Sequence, residues 1–246
     1  MLGDLTAQTV AIASGDGTEI EAYAASPLSD DRRGGVVVIH HMPGYDRGTK
    51  EMVRRFADLG FDAICPNLYS RQAPGAAPDD ASATVRAQGG VPDEQLVDDV
   101  SGAADHLRGR PASNGNVGVI GHCSGGRQAV LAACRLDLDA AVDCYGAYVV
   151  GHPPDDWPLA VTPLYDDLPN LGCPLLGLFG NEDAHPSPAE VRELDTLMRD
   201  LSLDFEHTSY DGAGHAFFAV DRPAYRVEAA TDGWRRIEAF YRRHLG

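Results

Sequence analysis

The chain has little positive charge and no long apolar run. Its 246 residues carry 20 Lys and Arg against 37 Asp and Glu, a formal net charge of −17. Because like charges repel, neither nucleic acid nor an anionic membrane surface is an expected partner. The sequence has no stretch of about 18 apolar residues, so it predicts no membrane-spanning segment. The opening MLGDLTAQTVAIAS also lacks the basic region and apolar stretch that are typical of a signal peptide.

The cysteines do not form a recognisable pairing pattern. There are five of them, an odd number, and no two have CxxC spacing. This excludes a disulfide framework or a zinc ribbon as the organising feature, and with the missing signal peptide it predicts a reduced, cytoplasmic protein. Four of the five lie in or beside apolar segments and are interpreted as small core residues: Cys65, Cys134, Cys144 and Cys173.

Short β-rich runs alternate with longer amphipathic ones along the chain. This pattern predicts an α/β fold with a doubly wound, mostly parallel sheet flanked by helices on both faces. No internal repeat is found, and residues 1–246 are expected to form a single domain. Strands are predicted at Thr9–Ala13, Glu19–Ala24, Val36–His41, Phe61–Pro66, Val117–Gly121, Ala140–Tyr145, Pro174–Gly180 and Phe205–Tyr210. Helices are predicted at Lys50–Leu59, Val97–Leu107, Arg127–Cys134, Pro188–Leu201 and Tyr225–His244.

Two stretches interrupt this alternation. Ser70–Pro92 is rich in Pro, Gly and Ala, and Gly151–Asn170 contains five prolines. Neither stretch separates two segments that could each form a core, so neither is interpreted as a domain linker. Loops longer than about 12–15 residues in a compact domain are commonly functional. We therefore expect both stretches to pass over the active-site face.

The segment Gly121–Gly126 reads GHCSGG and lies between a predicted strand and a predicted helix. It matches the G-x-S-x-G nucleophile elbow with sulfur in place of oxygen. A sharp turn at this place lifts the side chain off the sheet, and the helix N-terminus below it favours a thiolate. Cys123 is therefore the candidate nucleophile. The alternative is a buried cysteine in a glycine-rich turn, as found at nucleotide sites.

An acid and a histidine follow in the chain order that such an elbow requires. The strand ending at Gly180 leads into Asn-Glu-Asp, where Asp183 is the favoured acid and its neighbour Glu182 stays open. His215 stands in GAGHAF, after the strand that ends at Tyr210. In such a triad the histidine moves the proton, and the carboxylate orients the imidazole and stabilises its charged form.

The oxyanion hole is expected at two backbone N–H groups. One belongs to Ser124, which follows the nucleophile, and the other to Met42, in the HHMPGY segment after the strand Val36–His41. Such donors stabilise the negative charge that develops on a carbonyl oxygen during acyl transfer. This set predicts an α/β-hydrolase fold.

At these residues the chain resembles the dienelactone hydrolase family, the carboxymethylenebutenolidases. The resemblance extends from Val36 to the closing helix, and its motifs are VVVIHH-x-PG, CPNLYSRQAPG, GVIGHCSGGRQ, PLLGLFGNED and DGAGHAFF. It implies a single α/β-hydrolase domain without metal or organic cofactor. It also implies hydrolysis of enol-lactones or activated esters through an acyl-thiol intermediate. The family's nucleophile, acid and histidine correspond to Cys123, Asp183 and His215.

Two positions depart from the family pattern. His41 stands where members have Glu, and Ala219 stands where the type enzymes have a carboxylate-binding Arg. We therefore expect dienelactone to be a poor substrate. His41 is hypothesised to stabilise a Cys123 thiolate; the alternative is that it packs under the oxyanion loop. The candidate pocket residues are His41, Tyr45, Arg71, Arg86, Phe217 and Arg222.

The sequence thus predicts a hydrolase of small lactones or carboxylic esters. Two other readings stay open: a non-catalytic binding protein of the same fold, and a metal site formed by His41, Cys123 and His215. The separation of these three residues is not a metal-ligand spacing. A small-molecule substrate is the expected partner, and assembly into a homo-oligomer is left open.

Overall fold

The computed structural model describes residues 4–246. Residues 1–3, which open the segment that was predicted not to be a signal peptide, lie outside that range. The described residues form one eight-stranded sheet in the order β1-β2-β4-β3-β5-β6-β7-β8. β1 pairs antiparallel with β2 and β2 with β4, and the remaining pairs are parallel. The strands are β1 Leu5–Ala13, β2 Glu19–Pro27, β3 Arg33–Ile39, β4 Asp62–Pro66, β5 Ser113–His122, β6 Ala140–Cys144, β7 Leu175–Gly180 and β8 Phe205–Tyr210.

Helices cover both faces of the sheet, and strands and helices alternate from β3 to the end of the chain except between β6 and β7, which are joined by a loop with one short 3-10 turn. β3 shows why: Val36 and Val38 join the core on one face, while Val37 and Ile39 join the core on the other. A strand buried on both faces needs apolar residues at every position. The helices are α1 Arg47–Asp58, α2 Pro78–Ala87, α3 Asp93–Arg108, α4 Ser124–Arg135, α5 Pro188–Asp200 and α6 Val227–His244.

The two cores divide the helices between the faces. α1 and α6 pack on one face through residues such as Phe56 and Ile237, and α2 to α5 pack on the other through residues such as Val85 and Leu96. The predicted doubly wound, mostly parallel sheet with helices on both faces is confirmed. Among the described residues, no helix combines the length and the apolar character needed to cross a membrane.

One predicted loop contains a helix. The stretch Ser70–Pro92 includes α2, which begins with Pro78 and carries Asp79 and Asp80 in its first turn. Proline at the first position and acids near the N-terminus are helix-start signals. The segment is nevertheless short and rich in alanine, and it lacks a clear apolar pattern at helical spacing, so its sequence does not predict a helix. No helix was predicted in this stretch, so α2 is an element that the sequence analysis missed.

The carboxyl ends of the parallel strands meet at one edge of the sheet. β3, β5, β6, β7 and β8 all end there, and the chain leaves each of them in a turn or loop. Ligands of open α/β sheets bind outside the carboxyl ends of the strands. A ligand site is therefore expected among the residues that follow these strands.

Candidate active site

Cys123 stands at a sharp turn between β5 and α4. Its backbone has φ 56° and ψ −124°, in a region that non-glycine residues rarely adopt. The flanking glycines are needed because the turn is tight. A Cβ on Gly121 would lie 1.8 Å from the carbonyl oxygen of Gly125, and one on Gly126 would lie 2.2 Å from an Asp143 carboxylate oxygen. The elbow predicted from GHCSGG is therefore present, and any larger residue at these glycines would displace it.

His215 and Asp183 form a hydrogen-bonded pair beside the elbow. The imidazole Nδ1 lies 2.8 Å from the Asp183 Oδ2 atom. The other carboxylate oxygen of Asp183 accepts the backbone N–H of His185 at 2.9 Å, and the carboxylate side chain is almost fully buried. Both carboxylate oxygens are thus occupied, which fixes the imidazole and leaves its Nε2 atom facing away from Asp183.

The His215 imidazole also lies beside Cys123, and both neighbours affect its pKa. Burial alone lowers this pKa, but hydrogen bonding to Asp183 and to the Cys123 side chain outweighs burial and raises it to about 10. An imidazole with that pKa is protonated at neutral pH. The His215 imidazole therefore lies between the Asp183 carboxylate and the Cys123 sulfur and contacts both.

The remaining cysteines lie elsewhere in the molecule. Cys65, Cys134, Cys144 and Cys173 are buried, whereas Cys123 is only partly so. Burial raises the pKa of the Cys134 and Cys173 thiols to about 12. Their interpretation as small core residues agrees with this burial. Because the thiolate is the reactive form, these four are poor nucleophiles.

A cavity of about 480 Å³ opens over Cys123 and His215. Both interruptions of the α/β pattern contribute to it. Ser70–Pro92 supplies Arg86 and Gly89–Val91, and Gly151–Asn170 supplies Trp157–Val161. The expectation that these two stretches pass over this face of the sheet is confirmed.

Met42 and Ser124, the two predicted oxyanion donors, both line this cavity. Ser124 is the first residue of α4, where an N–H has no acceptor within the helix. The loop carrying Met42 is held by His40, a residue that sequence reasoning missed. Its Nδ1 lies 3.0 Å from the carbonyl oxygen of His41, and its Nε2 accepts the N–H of Leu68 at 3.2 Å. Burial lowers the pKa of His40 to about 4, so its imidazole is neutral and stabilises the loop through these two contacts.

His41 does not line the cavity. Its Nε2 lies 3.5 Å from a carboxylate oxygen of Asp46, and burial lowers its pKa despite that neighbour. The alternation of side chains after β3 explains the position, since His40 takes the cavity side and His41 the other. The hypothesis that His41 contacts the Cys123 sulfur is not supported by this position, and the alternative of a scaffold role is favoured.

Of the three arginines considered for substrate binding, only Arg86 lines the cavity. Arg71 lies outside it, because its guanidinium pairs with the buried Asp99 at 2.6 Å and with Asp16 at 3.2 Å. Arg222 is exposed and also lies outside the cavity lining. The assignments of Arg71 and Arg222 to the pocket are corrected accordingly.

Tyr45 and Phe217 are core residues and not pocket residues. The Tyr45 ring is buried, with the ammonium of Lys50 4.1 Å from its centroid. Phe217 is completely buried and stacks on Phe218 at 4.7 Å. Each follows a site residue by two or three positions, but its apolar ring packs into the core beneath the loop. Sequence proximity to the site gave the wrong assignment in both cases.

Arg127 is a cavity-lining residue that the sequence did not single out. Its guanidinium makes two parallel contacts to the Asp93 carboxylate, at 2.8 and 2.9 Å, and donates to the carbonyl oxygen of Thr162 at 2.6 Å. The arginine thereby joins the first turn of α4 to the start of α3 and to the stretch Gly151–Asn170. An arginine directly after a glycine pair carries no sequence signal for such a role.

A metal site is not indicated. Within residues 4–246, no group of three or more His, Cys, Asp or Glu side chains is arranged to hold a metal ion. The suggested convergence of His41, Cys123 and His215 on a metal is not observed, since His41 faces Asp46.

The parallel sheet, the strand–cysteine–helix elbow and the acid and histidine loops after β7 and β8 define an α/β-hydrolase. A comparison with known families matches the Dienelactone hydrolase family over residues 20–245. The chain therefore belongs to the dienelactone hydrolase family and is a hydrolase.

Individual relatives agree with this membership. A candidate carboxymethylenebutenolidase of Methylorubrum extorquens is 32% identical over 249 residues, covering 98% of this chain and 82% of that protein. The carboxymethylenebutenolidase of Pseudomonas putida is 30% identical over 227 residues, with 90% of each chain covered. The crystal structure of a candidate dienelactone hydrolase from Klebsiella pneumoniae superposes with a TM-score of 0.86 at 29% identity, covering 98% of this chain and all of that one.

Proposed function

We propose that this protein is a cysteine hydrolase that cleaves small carboxylic esters or lactones through an acyl-thiol intermediate. The observation that carries the proposal is the contact line of Asp183, His215 and Cys123 at the floor of the cavity. Such a line meets the requirements of nucleophilic catalysis: a nucleophile, a base within reach, and a third group that orients the base. The continuous sheet of residues 4–246 supports a single working domain.

The first half of the reaction forms the acyl-thiol. The Cys123 thiolate attacks the carbonyl carbon, a C–S bond forms, and the carbonyl π electrons move onto oxygen. The N–H groups of Ser124 and Met42 face that oxyanion. When the tetrahedral intermediate collapses, the C–O bond to the leaving group breaks. The imidazolium of His215 gives its Nε2 proton to the departing oxygen, so that an alcohol leaves and the imidazole is neutral.

The second half restores the enzyme. A water molecule attacks the thioester carbonyl while His215 accepts its proton at Nε2. The intermediate collapses with cleavage of the C–S bond, which releases the carboxylic acid and returns sulfur as the thiolate. Asp183 holds the imidazole throughout and stabilises its charged form. The thiolate–imidazolium pair is thereby ready for another turnover.

The cavity favours an uncharged substrate. Its walls are largely apolar, with Leu68, Val91 and Leu159 among them, and the Arg127 guanidinium is already neutralised by Asp93. Arg86 is the one cation on the lining without a carboxylate partner among the described ion pairs, and it is exposed at the mouth. These features, with Ala219 in place of an arginine, support an ester or lactone without a free carboxylate.

The test is hydrolysis of p-nitrophenyl acetate by wild type and Cys123→Ala. We expect kcat/KM to fall at least ~10³-fold, the scale expected on deleting a covalent nucleophile. Cys134→Ala is the matched control, because it removes a buried thiol of high pKa near the other end of α4, away from the cavity, and should keep its activity. Iodoacetamide should likewise inactivate wild type and label Cys123 before the other four cysteines. Full activity in Cys123→Ala would end the proposal.

A further inference from the structure

Three aromatic side chains form one side of the cavity. Tyr148 lies after β6, Trp157 lies in the stretch Gly151–Asn170, and His185 lies after β7, and all three line the cavity. The Tyr148 ring centroid is 5.2 Å from that of Trp157 and 5.3 Å from that of His185. The Trp157 and His185 centroids are 6.4 Å apart. We refer to these three residues as the aromatic wall.

The aromatic wall is fixed relative to the hydrolytic residues. The backbone N–H of His185 donates to the same Asp183 carboxylate that binds His215. Tyr148 is 2% exposed and held at φ 63°, a left-handed conformation that is strained for a bulky residue. Strain of this kind persists only where the surroundings impose it, and it is concentrated at functional sites.

Two polar atoms of the wall are unsatisfied. Among residues 4–246, neither the Tyr148 hydroxyl nor the His185 Nδ1 atom has a hydrogen-bond partner, although both atoms are buried. The nearest carboxylate oxygen to His185 Nδ1, from Glu190, is 3.9 Å away. A purely structural aromatic cluster would satisfy such atoms, because leaving them unpaired is costly. A wall that receives a ligand has a reason to tolerate them.

Trp157 completes the wall from the loop stretch Gly151–Asn170, whereas Tyr148 and His185 lie in the segments that follow β6 and β7. It is 38% exposed, so a substantial part of its apolar ring faces water. Covering that exposed ring with a ligand removes apolar surface from water. Aromatic rings also prefer other rings in edge-to-face or offset arrangements over saturated groups of the same size.

We propose that the aromatic wall binds an aryl group of the substrate, so that the preferred substrates are esters or lactones that carry an aromatic ring. This inference rests on the proposed function of the same site. The ring can belong to the acyl half or to the alcohol half of an ester, and the test has an arm for each.

The experiment compares flat and saturated rings of equal size. In the alcohol arm, benzyl acetate is compared with cyclohexylmethyl acetate; in the acyl arm, methyl 3-phenylpropanoate is compared with methyl 3-cyclohexylpropanoate. In at least one arm we expect wild type to favour the aryl ester about 2- to 10-fold in kcat/KM, the range expected for an aromatic pair. Trp157→Leu should bring that ratio close to one, and Trp157→Phe should keep most of it.

The matched control is Tyr165→Leu, which changes an exposed aromatic residue of the same stretch that lies outside the cavity lining. Its aryl preference should equal that of wild type. Circular dichroism checks that each variant is folded, and the ratio within one variant is independent of any general loss of rate. An aryl preference in neither arm, or one that survives Trp157→Leu, overturns the proposal.

A binding measurement separates this proposal from the proposed function. Calorimetry on Cys123→Ala should show tighter binding of 3-phenylpropanamide or benzyl alcohol than of the corresponding cyclohexyl compound, and Trp157→Leu in that background should remove the difference. Equal binding of both pairs counts against the aromatic wall. Undiminished hydrolysis by Cys123→Ala counts against the cysteine mechanism and leaves the ring preference standing.

Discussion

The floor and the roof of the cavity are built in different ways. The floor consists of residues within five positions of the ends of β5, β7 and β8. Its backbone is packed so closely that a Cβ on Gly121 would lie 1.8 Å from the carbonyl oxygen of Gly125. The roof consists of Ser70–Pro92 and Gly151–Asn170, which are tied to the body by side chains such as Arg127. The comparison teaches that the backbone of the floor is set by local geometry, whereas the roof is held in place by contacts between residues that are distant in the sequence.

The floor is tested most strongly at Asp183. In Asp183→Asn we expect kcat/KM on p-nitrophenyl acetate to fall on the order of 10⁴-fold, because the imidazole loses its orienting carboxylate. The pH profile should change as well. Hydrogen bonding to Asp183 helps raise the His215 pKa to about 10, so the imidazolium persists up to that pH and is lost above it. Asp183→Asn removes the contribution of the carboxylate to the raised pKa, so the alkaline limb should move to lower pH.

Glu182→Gln is the control for this prediction. Glu182 is exposed and adjacent to Asp183, and the sequence alone left it as the alternative acid. It should keep both the wild-type rate and the wild-type alkaline limb. If Glu182→Gln lost activity and Asp183→Asn did not, the acid would be misassigned.

The charge of the roof is tested at Arg86. We compare p-nitrophenyl hydrogen glutarate, which carries a free carboxylate, with uncharged p-nitrophenyl butanoate. In Arg86→Ala, kcat/KM on the charged ester should fall about 2- to 10-fold, a small effect because this guanidinium is screened by solvent. The uncharged ester should be unaffected, and Arg222→Ala, outside the cavity, should change neither. Equal losses on both esters would contradict a charge-specific role.

The attachment of the roof is tested at Arg127. Arg127→Gln leaves Asp93 without its partner, and we expect the free energy of unfolding to fall by about 1–3 kcal/mol, less than for a fully buried pair because Asp93 is partly exposed. Limited proteolysis should cut within Gly151–Asn170 faster than in wild type. Arg199→Gln, which removes a surface ion pair with Asp195 inside α5 and touches neither roof stretch, should show neither effect. Unchanged proteolysis in Arg127→Gln would show that the roof is held by other contacts.

The sequence was sufficient for the floor because each part of it has a local signature. GHCSGG combines a strand end, a strained turn and a helix start, and only glycine fits where a Cβ would meet backbone atoms. Apolar residues at every position of β3 predicted burial on both faces. The order of Cys123, Asp183 and His215 then restricted the assignment to residues after particular strands.

The roof could not be derived in the same way. The partner of Arg127 is 34 residues away in sequence, and nothing in either local segment indicates the pair. Arg71 illustrates the opposite error. It was predicted to line the pocket because its loop is close to the site, but its guanidinium pairs with the buried Asp99. His40 and His41 are adjacent, yet only one faces the cavity, and that choice depends on the exact end of β3.

The central claim, that Cys123 becomes acylated, is tested most directly by trapping the intermediate. Wild-type protein is mixed with p-nitrophenyl acetate, quenched in acid during turnover, and analysed by intact mass and by fragmentation of its peptides. The account predicts one acetyl group per chain, attached to the sulfur of Cys123, released by hydroxylamine and absent from Cys123→Ala. An acetyl group on Ser124 or on any other residue, or turnover by Cys123→Ala without a sulfur adduct, would contradict it.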